Sequence, residues 1–317
     1  MLGPVGNDGA GFRAMADNET MKSRERQSLT TRQLAESLGV SESSVKRWID
    51  DGTIAAARTA GGHRRIPLAD AVRFIRRQRL AVRHPEAMRL ATPPLLGAAD
   101  DEAAHGFHAA LLSDDAVRAR AIVTGRYVCG ADIATIGDRL IRPAFERLGE
   151  LWRENADGIL LEHRAVDTCI RAVADLSDWI APAQPGAPTA ISAAGPDDPY
   201  LLPPLLASLT VQEQGSEARN LGPATPLETI GLAVERYRAL LCSVCVNTIL
   251  EKKRHAEWIR LADRLQAAGA RFVVGGRCVH SLPTEILNRA RVCGSMIELA
   301  SYAAGVIQGS ASGQQSS

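Results

Sequence analysis

The spacing of apolar positions changes character along the chain, and each change predicts a different kind of structure. Behind Thr30 or Thr31 as a cap, Leu34, Ala35 and Leu38 fall at helical spacing. Gly39-Val40-Ser41 predicts a tight turn, because glycine tolerates a left-handed backbone. A second helix is expected from Glu42 to Asp51. It has Val45, Trp48 and Ile49 on one face and Ser43, Ser44, Lys46 and Arg47 on the other, and Gly52 stops it. Residues 54–67 predict a hairpin wing with Gly61-Gly62 at its tip. A further helix, Leu68 to about Val82, turns Val72, Phe74 and Ile75 inward. Helix, glycine turn, helix and wing together make a winged helix-turn-helix over 28–82.

The next apolar pattern is purely helical. Ala104–Leu112 and Asp115–Val128 predict two helices. Asp132 caps a long third, Ile133–Glu154, with Ile136, Leu140, Ile141, Phe145, Leu148 and Trp152 on one face. Leu160–Ile180 supplies a fourth, so 104–182 is expected to form a four-helix bundle. From 189 to 308 strands and helices alternate. The strands are Thr189–Ala194, Glu217–Leu221, Ala239–Val246 and Arg271–Val274. The helices are Pro203–Gln214, Thr225–Tyr237, Glu251–Ala268 and Met296–Ile307. That series predicts an α/β doubly wound parallel sheet. Residues 83–103 and 183–188 are proline-bearing and lack a period, and are expected to be linkers. The polar ends, 1–27 and 309–317, are expected to be disordered.

Composition narrows the class. The 317 residues are 45% hydrophobic and 23% charged, which excludes collagen-like, coiled-coil and wholly disordered chains. No apolar run approaches the ~18 residues of a membrane span, and the N-terminus has no stretch of signal-peptide character. Six scattered cysteines fit reduced thiols in the cytoplasm. The near-neutral total conceals an asymmetry. Residues 28–84 hold eleven Lys/Arg against five Asp/Glu, while the total for the chain is +1, so a basic head is joined to an acidic body. Such a head suits a polyanion, because Lys and Arg release counterions from phosphate.

The second helix of such a head lies in the major groove. Thr31, Ser43, Ser44, Lys46 and Arg47 are therefore candidate DNA contacts, with Ser44 and Arg47 foremost for base edges. Arg58, His63, Arg64 and Arg65 would flank the groove from the wing. Trp48 is expected in the core. The segment Gly61-Gly62-His63-Arg64-Arg65-Ile66, in this setting, resembles the winged helix-turn-helix of MerR-type and excisionase-type DNA-binding domains. The partners expected are double-stranded promoter DNA and further copies of the chain, as a dimer or tetramer that links several heads.

In the second half, Trp152 followed by nine residues and then Glu162-His163 brings an aromatic and a Glu-His pair to one end of the bundle. A core Trp and an acid near a helix N-terminus would account for them equally. Together with Leu221-Gly-Pro-Ala-Thr-Pro-Leu227 and the order of domains, this pattern resembles the light-sensing MerR-type repressors that use adenosylcobalamin. The resemblance covers about 28–307. It implies that Trp152, Glu162 and His163 face the adenosyl side of a corrin, that the dark form is a tetramer on promoter DNA, and that light breaks the cobalt–carbon bond and the tetramer. Ser243 and Gly275-Gly276 stand near that family's Ser and glycine-pair positions. The family's D-x-H-x-x-G motif is matched by Asp198-Pro199-Tyr200-Leu201-Leu202-Pro203, with Tyr200 in place of the cobalt-ligating His and Pro203 in place of Gly. Imidazole titrates near ~6.5 and phenol near ~10, so the two are not equivalent ligands at neutral pH. Three arrangements stay open: cobalamin held without a protein nitrogen, a linear tetrapyrrole such as biliverdin, or no cofactor. The expected function is a regulator that senses light or a corrinoid or tetrapyrrole ligand. The alternatives are a cofactor-free regulator with an oligomerisation scaffold and a corrinoid carrier for methyl transfer.

Other motifs add little. Cys242-x-x-Cys245 lies in an apolar strand, where positions three apart face opposite ways, and it has no second ligand pair, so no metal site is expected. His105 and His108, at nearly one helical turn, fit solvated histidines as well as a chelate. There is no nucleophilic triad, P-loop or GxGxxG, and the chain is not expected to be an enzyme.

Overall fold

The computed structural model describes residues 28–59, 61–88, 99–151 and 158–314. The chain divides into two compact units, 1–90 and 91–317.

In the first unit, β1 (Ser28–Leu29) precedes α1 (Thr31–Leu38) and α2 (Glu42–Asp50), and β2 (Ala57–Arg58) and β3 (Arg64–Pro67) form the wing before α3 (Leu68–Arg77). Thr30 caps α1 in a reciprocal box with Gln33. Gly39 closes it at φ 66°, and the Arg83 side chain lies across this glycine where a Cβ would clash. β3 is the centre of a three-stranded antiparallel sheet, since β1 pairs it on one side and β2 on the other. The apolar sequence positions converge as expected: Leu29, Leu34, Val45, Ile54, Ile66, Val72 and Ile75 are all buried, and the half-buried Trp48 has its ring centre 5.0 Å from that of Phe74, tilted by 46°. α3 ends earlier than its pattern suggests, because Arg79 adopts a left-handed φ of 51°. The expected linker is in part structured. A 3-10 turn, Pro85–Met88, buries Met88, and a helix begins at Asp100.

The second unit opens with a helical bundle. Its helices are α4 (Asp100–Leu112), α5 (Ala116–Val128), α6 (Ile133–Thr135), α7 (Arg142–Leu151) and α8 (Gly158–Ser177). The long third helix predicted from sequence is one helical run with a π-helical stretch, Ile136–Ile141, joining α6 to α7. Its predicted end at Glu154 lies outside the described residues. Phe107, Ile122, Tyr127, Ile136, Leu148, Cys169 and Leu176 fill the bundle core.

The bundle is followed by a doubly wound parallel sheet. Strands β4 (Thr189–Ala194), β5 (Glu217–Gly222), β6 (Leu241–Cys245), β7 (Arg271–Gly275) and β8 (Arg291–Cys293) lie in the order β5-β4-β6-β7-β8. Helices α9 (Leu202–Glu213), α10 (Leu227–Tyr237), α11 (His255–Ala267), α12 (Thr284–Arg289) and α13 (Met296–Gln314) cover its faces. Strand alternation sorts the core into two layers. Ile191, Cys242, Val244 and Val274 meet α10 and α11 through Ile230, Trp258 and Leu261. Ala190, Leu241, Cys245 and Val273 meet α9 and α13 through Val211, Leu299 and Ala303. Cys242 and Cys245 thus face opposite layers. Two expectations are corrected. The sheet has a fifth strand, β8, with α12 before it. The residues expected to form a disordered tail continue α13 to Gln314.

Candidate functional site

The exposed face of the first unit is built around α2. Ser41 caps this helix by accepting from the Ser44 amide, and its Oγ lies 2.8 Å from that of Ser43 and 2.9 Å from that of Ser44. The two serine hydroxyls expected to meet DNA are therefore hydrogen-bonded to the cap, which orients them and leaves each with further hydrogen-bonding capacity. Lys46 is exposed and pairs with Glu42 at 3.2 Å. Arg47 and, on the wing, Arg58 and His63 are exposed; Arg65 is half-buried. Among the described residues, no hydrogen bond or ion pair engages the guanidinium of Arg47, Arg58 or Arg65. Thr31 is buried, and its hydroxyl donates to Glu42 Oε1 at 2.7 Å, tying α1 to α2. That bond and Lys46 hold the Glu42 carboxyl below its ordinary range. Arg64 is also turned inward. Its Nη2 donates to Asp50 Oδ1 at 2.6 Å, and its Nη1 donates to Asp50 Oδ2 at 3.3 Å and to the Lys46 carbonyl at 3.2 Å.

In the second unit a cavity of about 440 Å³ opens at the carboxyl ends of β6, β7 and β8. Ser243, Cys245, Asn247, Gly275, Gly276 and Arg277 line it from the sheet, Leu202, Pro203 and Leu206 from α9, and Gly137, Asp138 and Arg142 from the bundle. Clefts at strand carboxyl ends are the usual ligand positions of such sheets. Here three of the predicted residues, Ser243, Gly275 and Gly276, come together. The Ser243 hydroxyl lies 2.9 Å from that of Ser192 in the buried layer. The glycine pair has a backbone reason of its own. A Cβ on Gly275 would come within 3.0 Å of the Cys293 carbonyl, and one on Gly276, at φ 114°, within 3.0 Å of the Val246 backbone.

Asp198 is placed in the loop network beside the cavity. It is 1% exposed, and its carboxylate accepts from the Asn247 amide at 2.7 Å, the Asn247 side chain at 3.0 Å and the Tyr200 amide at 3.1 Å. It ties the loop after β4 to the loop after β6 and does not line the cavity. Tyr200 lies on the same loop, 37% exposed, with the Arg277 guanidinium 5.3 Å from its ring centre. Glu162 and His163 stand in the first two turns of α8, Glu162 half-buried and His163 exposed. Burial raises the Glu162 carboxyl above its ordinary range, against the opposing charges of His163 and Arg277. Trp152, the third member of that expected group, lies outside the described residues.

The bundle side of the cavity holds residues that sequence reasoning missed. The Asp138 carboxylate, 9% exposed, accepts the amides of Met296 at 3.0 Å and Ile297 at 2.8 Å, so a bundle residue caps the first turn of α13. Arg142 pairs with Asp138 and donates to the Gly294 carbonyl, both at 3.0 Å. Gly137 lets the π-helical stretch approach, since a Cβ there would meet Met296 at 3.3 Å. The available signal was the i, i+4 acid–base spacing of Asp138 and Arg142, which is common on any helix.

The donor set sets limits on what the cleft can hold. No imidazole lines it, and no group of three or more metal-ligating side chains occurs among the described residues. Burial pushes the Cys242 and Cys245 thiols up to about 12, so both are protonated at neutral pH. His105 Nδ1 lies 2.7 Å from the Asp101 carbonyl, and the His108 ring is lowered, first by burial and then by Arg147. The residues fit an apolar ligand edge beside a few hydrogen-bonding groups. They do not fit a cobalt ion ligated from the sheet side.

Residues 28–79 match the family model HTH_17, a helix-turn-helix domain. No curated protein matches the chain. Among solved structures, the monomethylamine corrinoid protein of Methanosarcina barkeri is similar over 66% of this chain and 100% of its own, at 14% identity and a TM-score of 0.50. The methanol:cobalamin methyltransferase complex MtaBC from the same organism is 13% identical over 73% and 91%, with a TM-score of 0.35. A cobalamin-binding protein from Desulfitobacterium hafniense DCB-2 is 17% identical over 63% and 93%, with a TM-score of 0.32. The chain is thus a helix-turn-helix head followed by a bundle and parallel sheet with the fold of a corrinoid protein.

Proposed function

We propose that this chain is a cytoplasmic transcriptional regulator, not an enzyme. Its head binds double-stranded promoter DNA through the exposed side of α2 and the wing. Its second unit senses a flat ligand of the corrinoid or tetrapyrrole class and sets the oligomeric state. The observation that carries the reading is the set of guanidinium groups of Arg47, Arg58 and Arg65, which make no hydrogen bond or ion pair among the described residues, on a chain whose other half has a corrinoid-protein fold. The finer assignment is a variant of the light-sensing MerR-type repressors in which the protein supplies no nitrogen to cobalt. In this reading Ser243, Gly275-Gly276 and Arg277, which line the cavity, meet the ligand from the sheet, while Glu162, His163 and Tyr200, which lie outside that lining, approach its rim through Arg277. The absence of a histidine on the β4 loop weighs against a methyl-transfer carrier, which needs controlled ligation of cobalt.

The test is size-exclusion chromatography of the full chain with absorbance detection, in darkness and after illumination. It is run alone, with adenosylcobalamin and with biliverdin, beside anisotropy on promoter duplex at fixed salt. Visible absorbance that co-elutes, with a shift in assembly and in duplex affinity, supports the sensor. No duplex binding even at low salt refutes the regulator. Duplex binding with no co-elution and constant assembly refutes the sensor and leaves an oligomerisation scaffold.

A further inference from the structure

We propose that Arg64 acts as a positioning residue that sets the wing against the recognition helix, and does not contact phosphate; this rests on the DNA-binding reading above. β2 has two residues, and the wing tip is Gly61-Gly62 with Gly62 at φ 77°. A two-stranded hairpin of this size has little stability of its own. Its orientation must come from anchors at its base. One is Ile66, fully buried and paired across the ladder with Leu29 of β1. The other is Arg64, whose guanidinium makes the three hydrogen bonds to Asp50 and the Lys46 carbonyl. The side chain is 22% exposed, against 60% for Asp50. Both acceptors lie in the last two turns of α2, where a cation is favoured by the helix dipole. A guanidinium held bidentately by a carboxylate is neutralised and oriented away from a further anion. Directly across the ladder, Arg58 is exposed and has no such partner among the described residues, so this rung of the wing pairs a clamped cation with an unclamped one.

The two roles predict opposite signs at Asp50. If Arg64 met phosphate, neutralising Asp50 would remove both a competitor and a repulsive charge, and DNA would bind more tightly. If Arg64 positions the wing, neutralising Asp50 releases it, and DNA binds more weakly. The experiment is anisotropy with the full chain on promoter duplex at fixed salt, well below the melting temperature. Asp50→Asn and Arg64→Ala are each expected to weaken binding by about fivefold, the order of one well-formed surface pair. The double variant is expected to be no weaker than either single one. Arg64→Lys, which keeps the charge but loses the fork, is expected to resemble Arg64→Ala. Arg58→Ala is expected to lower the salt slope by about one. Unchanged or tighter binding by Asp50→Asn overturns the proposal, as does wild-type affinity in Arg64→Lys. If Asp50→Asn unfolds the head, Arg64→Lys alone decides. A wild-type chain that binds no duplex refutes the DNA-binding reading itself.

Discussion

Replacing Asp138 with Ala is expected to loosen the bundle from the sheet while leaving both cores intact. The side chain sits where the π-helical stretch meets α13, and the perturbation can be worked through group by group. Four amides at a helix start lack internal partners. In α13, Ser295 accepts from Glu298, while Asp138 covers Met296 and Ile297. Truncation leaves two amides without their charged acceptor and frees Arg142, which keeps only the Gly294 carbonyl. Hydrogen bonds to a charged group contribute about 1.5–3 kcal/mol, and a lost cap costs about 0.5–2 kcal/mol. Water can reach part of the exposed rim, so about 2–3 kcal/mol is the expected loss for the second unit. For a body of this size that is a fall of about 4–12 °C in melting temperature. Asp138→Asn keeps one acceptor oxygen and is expected to lose roughly half as much. Urea unfolding followed by far-ultraviolet circular dichroism measures both. A loss below about 0.5 kcal/mol for Asp138→Ala would refute the claim that this contact holds the two layers together.

Arg47→Ala is expected to weaken specific duplex binding by about 1–3 kcal/mol, read by anisotropy at fixed salt, and to narrow the ratio over a scrambled duplex. Gly276→Ala is expected to destabilise the second unit strongly, because the left-handed φ and the Val246 backbone both exclude a Cβ; thermal unfolding indistinguishable from wild type would contradict this. For Glu162, burial raises the folded-state carboxyl above the unfolded value, so the folded form binds its proton more tightly. Its contribution to stability is then greatest at low pH and is lost as pH rises through the folded value. Glu162→Gln is expected to flatten that slope above pH ~4.5 in urea titrations, and an unchanged slope would dismiss the assignment.

Much of the architecture is legible in the sequence because it rests on period. Val45, Trp48 and Ile49 on one side of α2, or Ile191 and Val244 against Ala190 and Leu241 in the sheet, follow from 3.6 and 2 residues per repeat. What escapes has no periodic signature. β8 is three residues long with two of them exposed, too short to show alternation. The π-helical stretch reads as ordinary helix in Ile136–Ile141. Its irregularity accompanies the docking of Gly137 and Asp138 onto residues almost 160 positions away. The extension of α13 to Gln314 escapes because its last turns are polar and gain their helix from the buried run through Leu299 and Ala303. At the sites, residue type misled where a partner was distant in sequence. Arg64 looks like any wing cation until Asp50, fourteen positions earlier, is folded beside it. Asp198 looks like a ligand-site acid until Asn247 accounts for its carboxylate.

The residues that line the cleft are also the residues that close it. Gly137, Asp138 and Arg142 face the cavity, and the same three hold the bundle to α13. A ligand seated deeply enough to push Asp138 off α13 must part those contacts. The free energy stored in them is therefore subtracted from its affinity. At about 2–3 kcal/mol, that is roughly a 30- to 150-fold weakening. A histidine bond to a metal would offset such a cost from the sheet side, but this loop presents Tyr200 beneath Arg277. In the sensor proposed here, selectivity then rests on shape and on contacts made by both layers at once. A ligand that touches only the sheet leaves the bundle where it is, and a ligand that displaces the bundle must replace the Asp138 contact to α13 with contacts of its own.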